Sequence, residues 1–254
     1  MNVKANSPLF EYCLRLGDTP LILGQRLSEW CGHGPILEED IALTNISLDL
    51  IGQARAFLSY AAEVQGANLT EDDLAFLRGE REFKNNLLVE QPNGDFGQTI
   101  LRQFLVSTFQ YYYYDALAKS KDETIAALAQ KSLKEVTYHL RHSSEWIIRL
   151  GDGTAESKKR VEDAIANLWR FTGDMFDMDE VDAELISKGI AIDLNTLRKP
   201  WLEKVSDTFR LATLSIPENV FMMSGSRNGK HTEHLGHMLS EMQYLPRTHP
   251  GASW

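Results

Sequence analysis

Two stretches of nearly thirty residues each read as single uninterrupted helices, and they limit the fold more than any other feature of the chain. From 38 to 66 the apolar residues Leu43, Ile46, Leu50, Ala54, Phe57, Ala61 and Val64 recur every three or four positions, and no proline interrupts them. That spacing is the repeat of one helix face. At ~1.5 Å per residue such a helix runs roughly 40 Å, a length suited to a bundle of rods. From 122 to 150 the pattern repeats with Ile125, Leu128, Leu133, Val136, Leu140, Ile147 and Leu150, and Gly151 is placed to stop it. Shorter helices are predicted over 19–32 and over 96–119, the second after the turn signal Gln91-Pro92-Asn93-Gly94-Asp95. Thr154 can cap a further helix running through Leu168, Trp169 and Phe171 towards Leu185. Lys199-Pro200 breaks the chain before a helical stretch to 213, residues 215–229 have no steady period, and a last short helix starts near His231. No alternating strand pattern competes, and there is no linker composition or repeat period. The expected fold is all-α: one domain over 1–254, a long-helix bundle with extra C-terminal helices.

Charge and composition exclude several function classes. A formal charge of −10 with scattered Lys and Arg repels a phosphate backbone, so nucleic acid is not an expected partner. No stretch reaches the roughly 20 apolar residues needed to span a bilayer. Cys13 and Cys31 stand in no metal-binding or Cys-x-x-Cys spacing, and with no signal peptide in evidence they point to a reducing cytoplasm. At 43% hydrophobic content the chain can build a sizeable core without disulfides.

The long helices are of the kind that carry di-iron sites, in which each of two helices supplies Glu-x-x-His and each of the other two one Glu. Here the corresponding frames read Leu50-x-x-Gln53 and Val136-x-x-His139. His139 lies on the apolar stripe with Val136 and Leu140, whereas Glu135 lies about 100° round from Val136. The ligand frame has thus kept an imidazole and lost its carboxylate. Gln53 stands where an imidazole would stand, and its neutral amide is suited to hydrogen-bonding across the bundle. On the third helix Gln103, Ser107 and Gln110 are polar but not acidic, and Glu29 is the best remnant of a first-helix carboxylate, with a salt-bridged surface role as its plainer reading. The site is degenerate, with vestigial positions Glu29, Leu50, Gln53, Val136 and His139 and no metal expected. His139 then reads as a hydrogen-bonded core histidine. The competing reading is a metal-binding oxidoreductase with an irregular site made of Glu29, Asp49, Glu135 and His139.

Three other patterns have plainer explanations. Gly225-Ser226-Arg227-Asn228-Gly229-Lys230 resembles a phosphate loop, but it is one residue short, follows no strand, and is followed by His231 in place of Ser or Thr. It is read as a turn. His231, His234 and His237 point in directions spread over about 120° of one helix and cannot share an ion, so with Glu233 they are given a structural or interface role. The run Tyr111 to Tyr114 places rings all round one turn, and part of it is expected to meet another chain.

Several strings together resemble the PaaC family, the non-catalytic ferritin-like subunits of bacterial ring-1,2-phenylacetyl-CoA epoxidases. They are Arg15-Leu16-Gly17-Asp18, Gln25-Arg26-Leu27 with Glu29 to His33, Leu48-Asp49-Leu50 with Gly52-Gln53-Ala54-Arg55, Leu88 to Gly94, Lys134-Glu135 with Tyr138 to Arg141, Leu168 to Thr172, and His231 to Gly236. The resemblance runs in order over nearly the whole chain.

The resemblance implies a structural subunit of a multicomponent oxygenase in aerobic phenylacetate breakdown, with no cofactor in this chain. A sister catalytic subunit would carry the di-iron centre, and an NADPH-dependent reductase with FAD and an iron–sulfur cluster would supply electrons. By the same resemblance the CoA thioester touches the subunit boundary at Glu82, Phe83, Lys84 and Asn85 and at Ala183, Glu184 and Leu185. Arg81, Lys84 and Asn85 offer donors that suit phosphate.

Overall fold

A computed structural model describes residues 7–66 and 68–252. Four long helices form the framework: α1 (Pro8–Ser28), α2 (Leu37–Gln65), then, after the short α3 (Glu71–Phe76), α4 (Phe96–Leu117) and α5 (Glu123–Gly151). They are followed by α6 (Ala155–Leu168), α7 (Glu180–Ser187), α8 (Asn195–Leu211), α9 (Glu233–Met242) and α10 (Tyr244–Thr248), with no strand among the described residues. Side-chain capping sets most of the starts. Ser7, Asp95 and Asp122 accept the backbone N–H groups of Phe10, Gln98 and Ile125, satisfying donors the first turn leaves free.

The helix directions follow from cross-helix contacts. Trp30 at the end of α1 donates to Thr99 at the start of α4, while Tyr12 and Tyr113 join the opposite ends, so α1 and α4 run antiparallel. Gln53 reaches Glu135, and Tyr60 reaches Asp122, so α2 and α5 are antiparallel too. α1 packs against α2 and α4 against α5. The 66–95 connection must therefore travel the length of the bundle, the single long crossover of ferritin-like folds. α1 and α2 approach closely at Gly17 and Gly24, where an added Cβ would lie 2.7 Å from the Leu58 side chain and 3.1 Å from Ile51.

The crossover is irregular and almost wholly buried between Phe83 and Gln91, so its polar groups need partners throughout. Asp18 of α1 is paired with Arg78 and accepts Lys84 N–H, Asp174 accepts Leu87 N–H at 2.9 Å, and Arg26 and Arg102 donate to the carbonyls of Glu90 and Gln91. Arg102 is fully enclosed, and burial, reinforced by Arg26, lowers its pKa to about 9. Glu90, also enclosed, accepts from Asn85, from Thr232 N–H and from His231.

Three sequence expectations are corrected. The first helix runs 8–28, not 19–32, because Ser7 caps it and Pro8 suits its first turn; Pro20 lies inside it. The stretch from Thr154 towards Leu185 is not one helix. It breaks at Leu168 into two 3₁₀ turns, 169–171 and 173–176, before α7, and the buried rings of Trp169 and Phe176 pack on Trp201 of α8. Pro200 does not break the chain; α8 starts at Asn195 and carries Pro200 in its second turn.

Candidate functional site

The frames Leu50-x-x-Gln53 and Val136-x-x-His139 face each other across the core. Leu50, Val136 and His139 are fully buried and Gln53 nearly so. Gln53 Nε2 donates to Glu135 Oε2 at 2.9 Å, and its Oε1 accepts from Tyr114 of α4 at 3.3 Å. Burial pushes the Tyr114 pKa well up, with the charges of Tyr113 and Glu135 adding to the shift, so the phenol stays a donor. One amide thus ties α2, α4 and α5 together.

His139 Nε2 lies 3.0 Å from Asp49 Oδ2. A carboxylate only accepts, so Nε2 carries the proton; Nδ1 is buried with no partner among the described residues. One turn on, His142 repeats the arrangement with Glu39 at 2.8 Å. On α4 the enclosed Gln103 donates to Ser107 at 2.8 Å, and the Gln110 amide is buried without a partner of ordinary geometry.

A di-iron centre needs four carboxylates and two imidazoles around one point. The core offers one imidazole, and the two carboxylates near it are both engaged, Asp49 by His139 itself and Glu135 by Gln53; Leu50 and Val136 supply hydrocarbon. These residues do not fit two iron ions. Nor does the structure gather the irregular set. Asp49 is with His139 and Glu135 is with Gln53, but Glu29 lies beyond the end of α1, exposed and held by Arg26 at 2.9 Å and Asn93 at 2.7 Å. Among the described residues no three or more His, Cys, Asp or Glu are placed to share a metal ion.

The residues assigned to the CoA thioester fall on two segments that meet the same stretch of α1. Lys84 Nζ pairs with Glu11 at 3.1 Å, and Arg15, one turn further, holds Asp179 at 2.6 Å and Asp182 at 2.7 Å at the start of α7. Phe83 is buried under the Arg78 guanidinium, Asn85 is enclosed against Glu90, and Leu185 is buried. Glu82, Ala183 and Glu184 are exposed and Lys84 partly so. Glu82 and Lys84 border a groove of about 550 Å³ whose floor includes Phe10, Leu14 and Leu74 and whose rim carries Arg81.

The profile of a protein family described as "Phenylacetic acid catabolic protein" matches residues 1–254. The chain belongs to this family. It is 52% identical over 246 residues to a protein of Escherichia coli (strain K12) named as one subunit of 1,2-phenylacetyl-CoA epoxidase, a match that covers 97% of this chain and 99% of the relative. The bundle is the all-α, ferritin-like architecture expected of the family, and the degenerate core is read within it.

Sequence reasoning found the inward frame and the cross-bundle role of Gln53. It missed Tyr114 as the amide's second partner and the parallel pair of Glu39 with His142. Both pairs of α2 acid and α5 histidine depend on the register between helices ninety or more residues apart. His231, by contrast, has a clear structural task. His231 locks the crossover, with Nδ1 2.9 Å from Glu90 and Nε2 2.9 Å from the Phe83 carbonyl, and the 225–230 segment is a 3₁₀ turn closed by Gly229 in the left-handed region. Burial, then the charge of Asp122, pushes the Cys13 thiol up to about 12, so this cysteine is a core residue and not a nucleophile. Among the described residues no helix is long and apolar enough to cross a membrane.

Proposed function

We propose that this chain is the non-catalytic subunit of a multicomponent phenylacetyl-CoA 1,2-epoxidase, one ferritin-like domain that stabilises and positions a di-iron catalytic subunit in aerobic phenylacetate degradation. The observation that carries the reading is the core itself: Leu50 and Val136 stand where carboxylates would be needed, and Gln53 is spent on Glu135 and Tyr114. The likeness to a protein named as one subunit of that epoxidase supports an assembly. In this reading the redox groups lie elsewhere, di-iron in the catalytic partner and FAD with an iron–sulfur cluster in an NADPH reductase, and the complex works in the cytoplasm.

The CoA thioester is placed along the groove beside Glu82 and Lys84, with Ala183 and Glu184 at the far side of the same α1 stretch. Phe83, Asn85 and Leu185 shape this surface from beneath. Exposed Arg81 is the free donor for phosphate.

Iron per chain decides the main reading. Purified alone from iron-supplemented cells, the protein is expected to carry none, and the complex with its catalytic partner about two per partner chain. Stoichiometric iron in the isolated chain would overturn it. For the CoA contact, Arg81→Glu is expected to raise the KM for phenylacetyl-CoA several-fold with kcat unchanged, the pattern of lost uniform binding; an unchanged KM removes this groove from the site.

A further inference from the structure

α2 is apolar on two opposite sides. Its inner face, Leu43, Ile46, Leu50 and Phe57, is fully buried. Its outer face carries Leu37, Ile41, Leu48 and Ile51, which are 72, 51, 61 and 39% exposed. At about 100° per residue these four directions fall within about 40° of one line, so they form a continuous stripe. Helices that are hydrophobic all round belong in an interior. α4 obeys that rule, being enclosed by α5, α6 and α8. α2 does not.

A second observation falls at the edge of the same stripe, on the side of Ile41. Gly52 sits in mid-helix, where glycine costs roughly 0.5–1 kcal/mol relative to alanine, and a Cβ built there meets nothing within 4 Å. No contact among the described residues asks for glycine. A backbone approaching from outside would.

Charge points to the occupant. Beside the stripe, Tyr138 of α5 is exposed between His139 and His142, whose imidazoles reach α2 at Asp49 and Glu39. Around it stand Lys131, Lys134 and Arg141, all exposed and, among the described residues, without a carboxylate in ion-pair range, although five other exposed Lys and Arg, on helices or within two residues of a helix end, have acid partners four residues away. The acids on this face include Glu38 and Asp40 at one end of α2, Asp40 accepting Gly34 N–H at 2.8 Å, Glu145 on α5, and Asp49, Glu39 and Glu135, each engaged by His139, His142 or Gln53. Unpaired cations at the rim of an apolar centre, on a chain of net charge −10, ask for a carboxylate-flanked apolar surface opposite, the usual plan of a specific interface.

We infer that the outer face of α2, with the Lys131–Arg141 flank of α5, is the surface on which the di-iron subunit docks, through an apolar helix face bordered by carboxylates. This rests on the assembly reading above and adds to it the place and chemistry of contact. Gly52 is the point of closest approach.

The test is co-expression with the tagged di-iron subunit of the same epoxidase. Leu48→Asp and Gly52→Leu are each expected to weaken retention at least about tenfold, the scale of a central interface residue. Lys134→Glu is expected to weaken it in a salt-dependent way. All three isolated chains should keep the wild-type circular dichroism and melt within a few degrees of wild type, Gly52→Leu slightly higher because a mid-helix glycine is removed. Phe221→Asp, 78% exposed on the loop before the 3₁₀ turn, should bind as wild type. Folded Leu48→Asp and Gly52→Leu chains that bind as wild type would overturn the docking face and leave the subunit reading intact. A wild-type chain that fails to bind would end the subunit reading itself. Sedimentation equilibrium of the chain alone covers the remaining occupant: a homodimer dissociated by Leu48→Asp would assign the face to a second copy and overturn the inference.

Discussion

His231 is the residue whose protonation the fold has most clearly fixed. Its imidazole is enclosed, and both nitrogens face acceptors, Glu90 and the Phe83 carbonyl, each at 2.9 Å. A neutral ring has one N–H and satisfies one of them; the imidazolium satisfies both. Burial lowers its pKa, but the hydrogen bond and charge of Glu90 outweigh that and leave it raised above 6.5. A raised folded-state value means that the contribution to stability is complete below pH 6.5 and is lost as pH rises through the folded pKa. Urea unfolding at a series of pH values should therefore show stability falling above pH 6.5, with a shallower slope in His231→Gln; equal slopes would refute the assignment. Gln53 gives a second prediction. Gln53→Ala strands the buried Tyr114 hydroxyl and is expected to cost about 1–3 kcal/mol, read as a shift in the urea midpoint at constant slope. That Gln53 and His139 face inward was legible from helical phase alone. Their partners were not, because a periodic stripe says which way a side chain points and nothing about what stands opposite.

Among the helices, legibility followed the strength of local signals. α2, α4 and α5 were found to within two residues, since each combines a long apolar repeat with a clear start. α1 was found too short because Pro20 reads as a first-turn residue until Ser7 is seen to cap Phe10. Beyond Leu168 the chain stays periodic but follows a packing demand, the Trp169, Phe176 and Trp201 cluster, which overrides local preference. α5 depends on Asp122 at both oxygens, one capping Ile125 N–H at 2.9 Å and the other accepting from Tyr60 of α2 at 2.7 Å. Asp122→Ala is expected to destabilise by about 1–2 kcal/mol from the cap alone. Pairing it with Tyr60→Phe in a double-mutant cycle measures the tie between α2 and α5, and additive effects would mean that the tie carries no stability.

For the molecule as a whole, the bundle retains the frame of a di-iron protein while its centre is given over to hydrocarbon and amides. That the frames Leu50-x-x-Gln53 and Val136-x-x-His139 face the core could be read from the sequence. The outer face of α2 could not, because exposure belongs to the folded chain and an apolar residue reads alike on either side of a helix. The pairing of Glu90 with His231 also bears on how the protein is made. Glu90, enclosed at the end of the crossover, waits for His231 and Thr232, 141 and 142 residues further along. While the chain is being synthesised, everything up to α8 can leave the ribosome with that carboxylate matched only by the Asn85 amide. The last tenth of the polypeptide is therefore what closes the first half, and a nascent chain stalled before His231 is a natural client for chaperones and proteases.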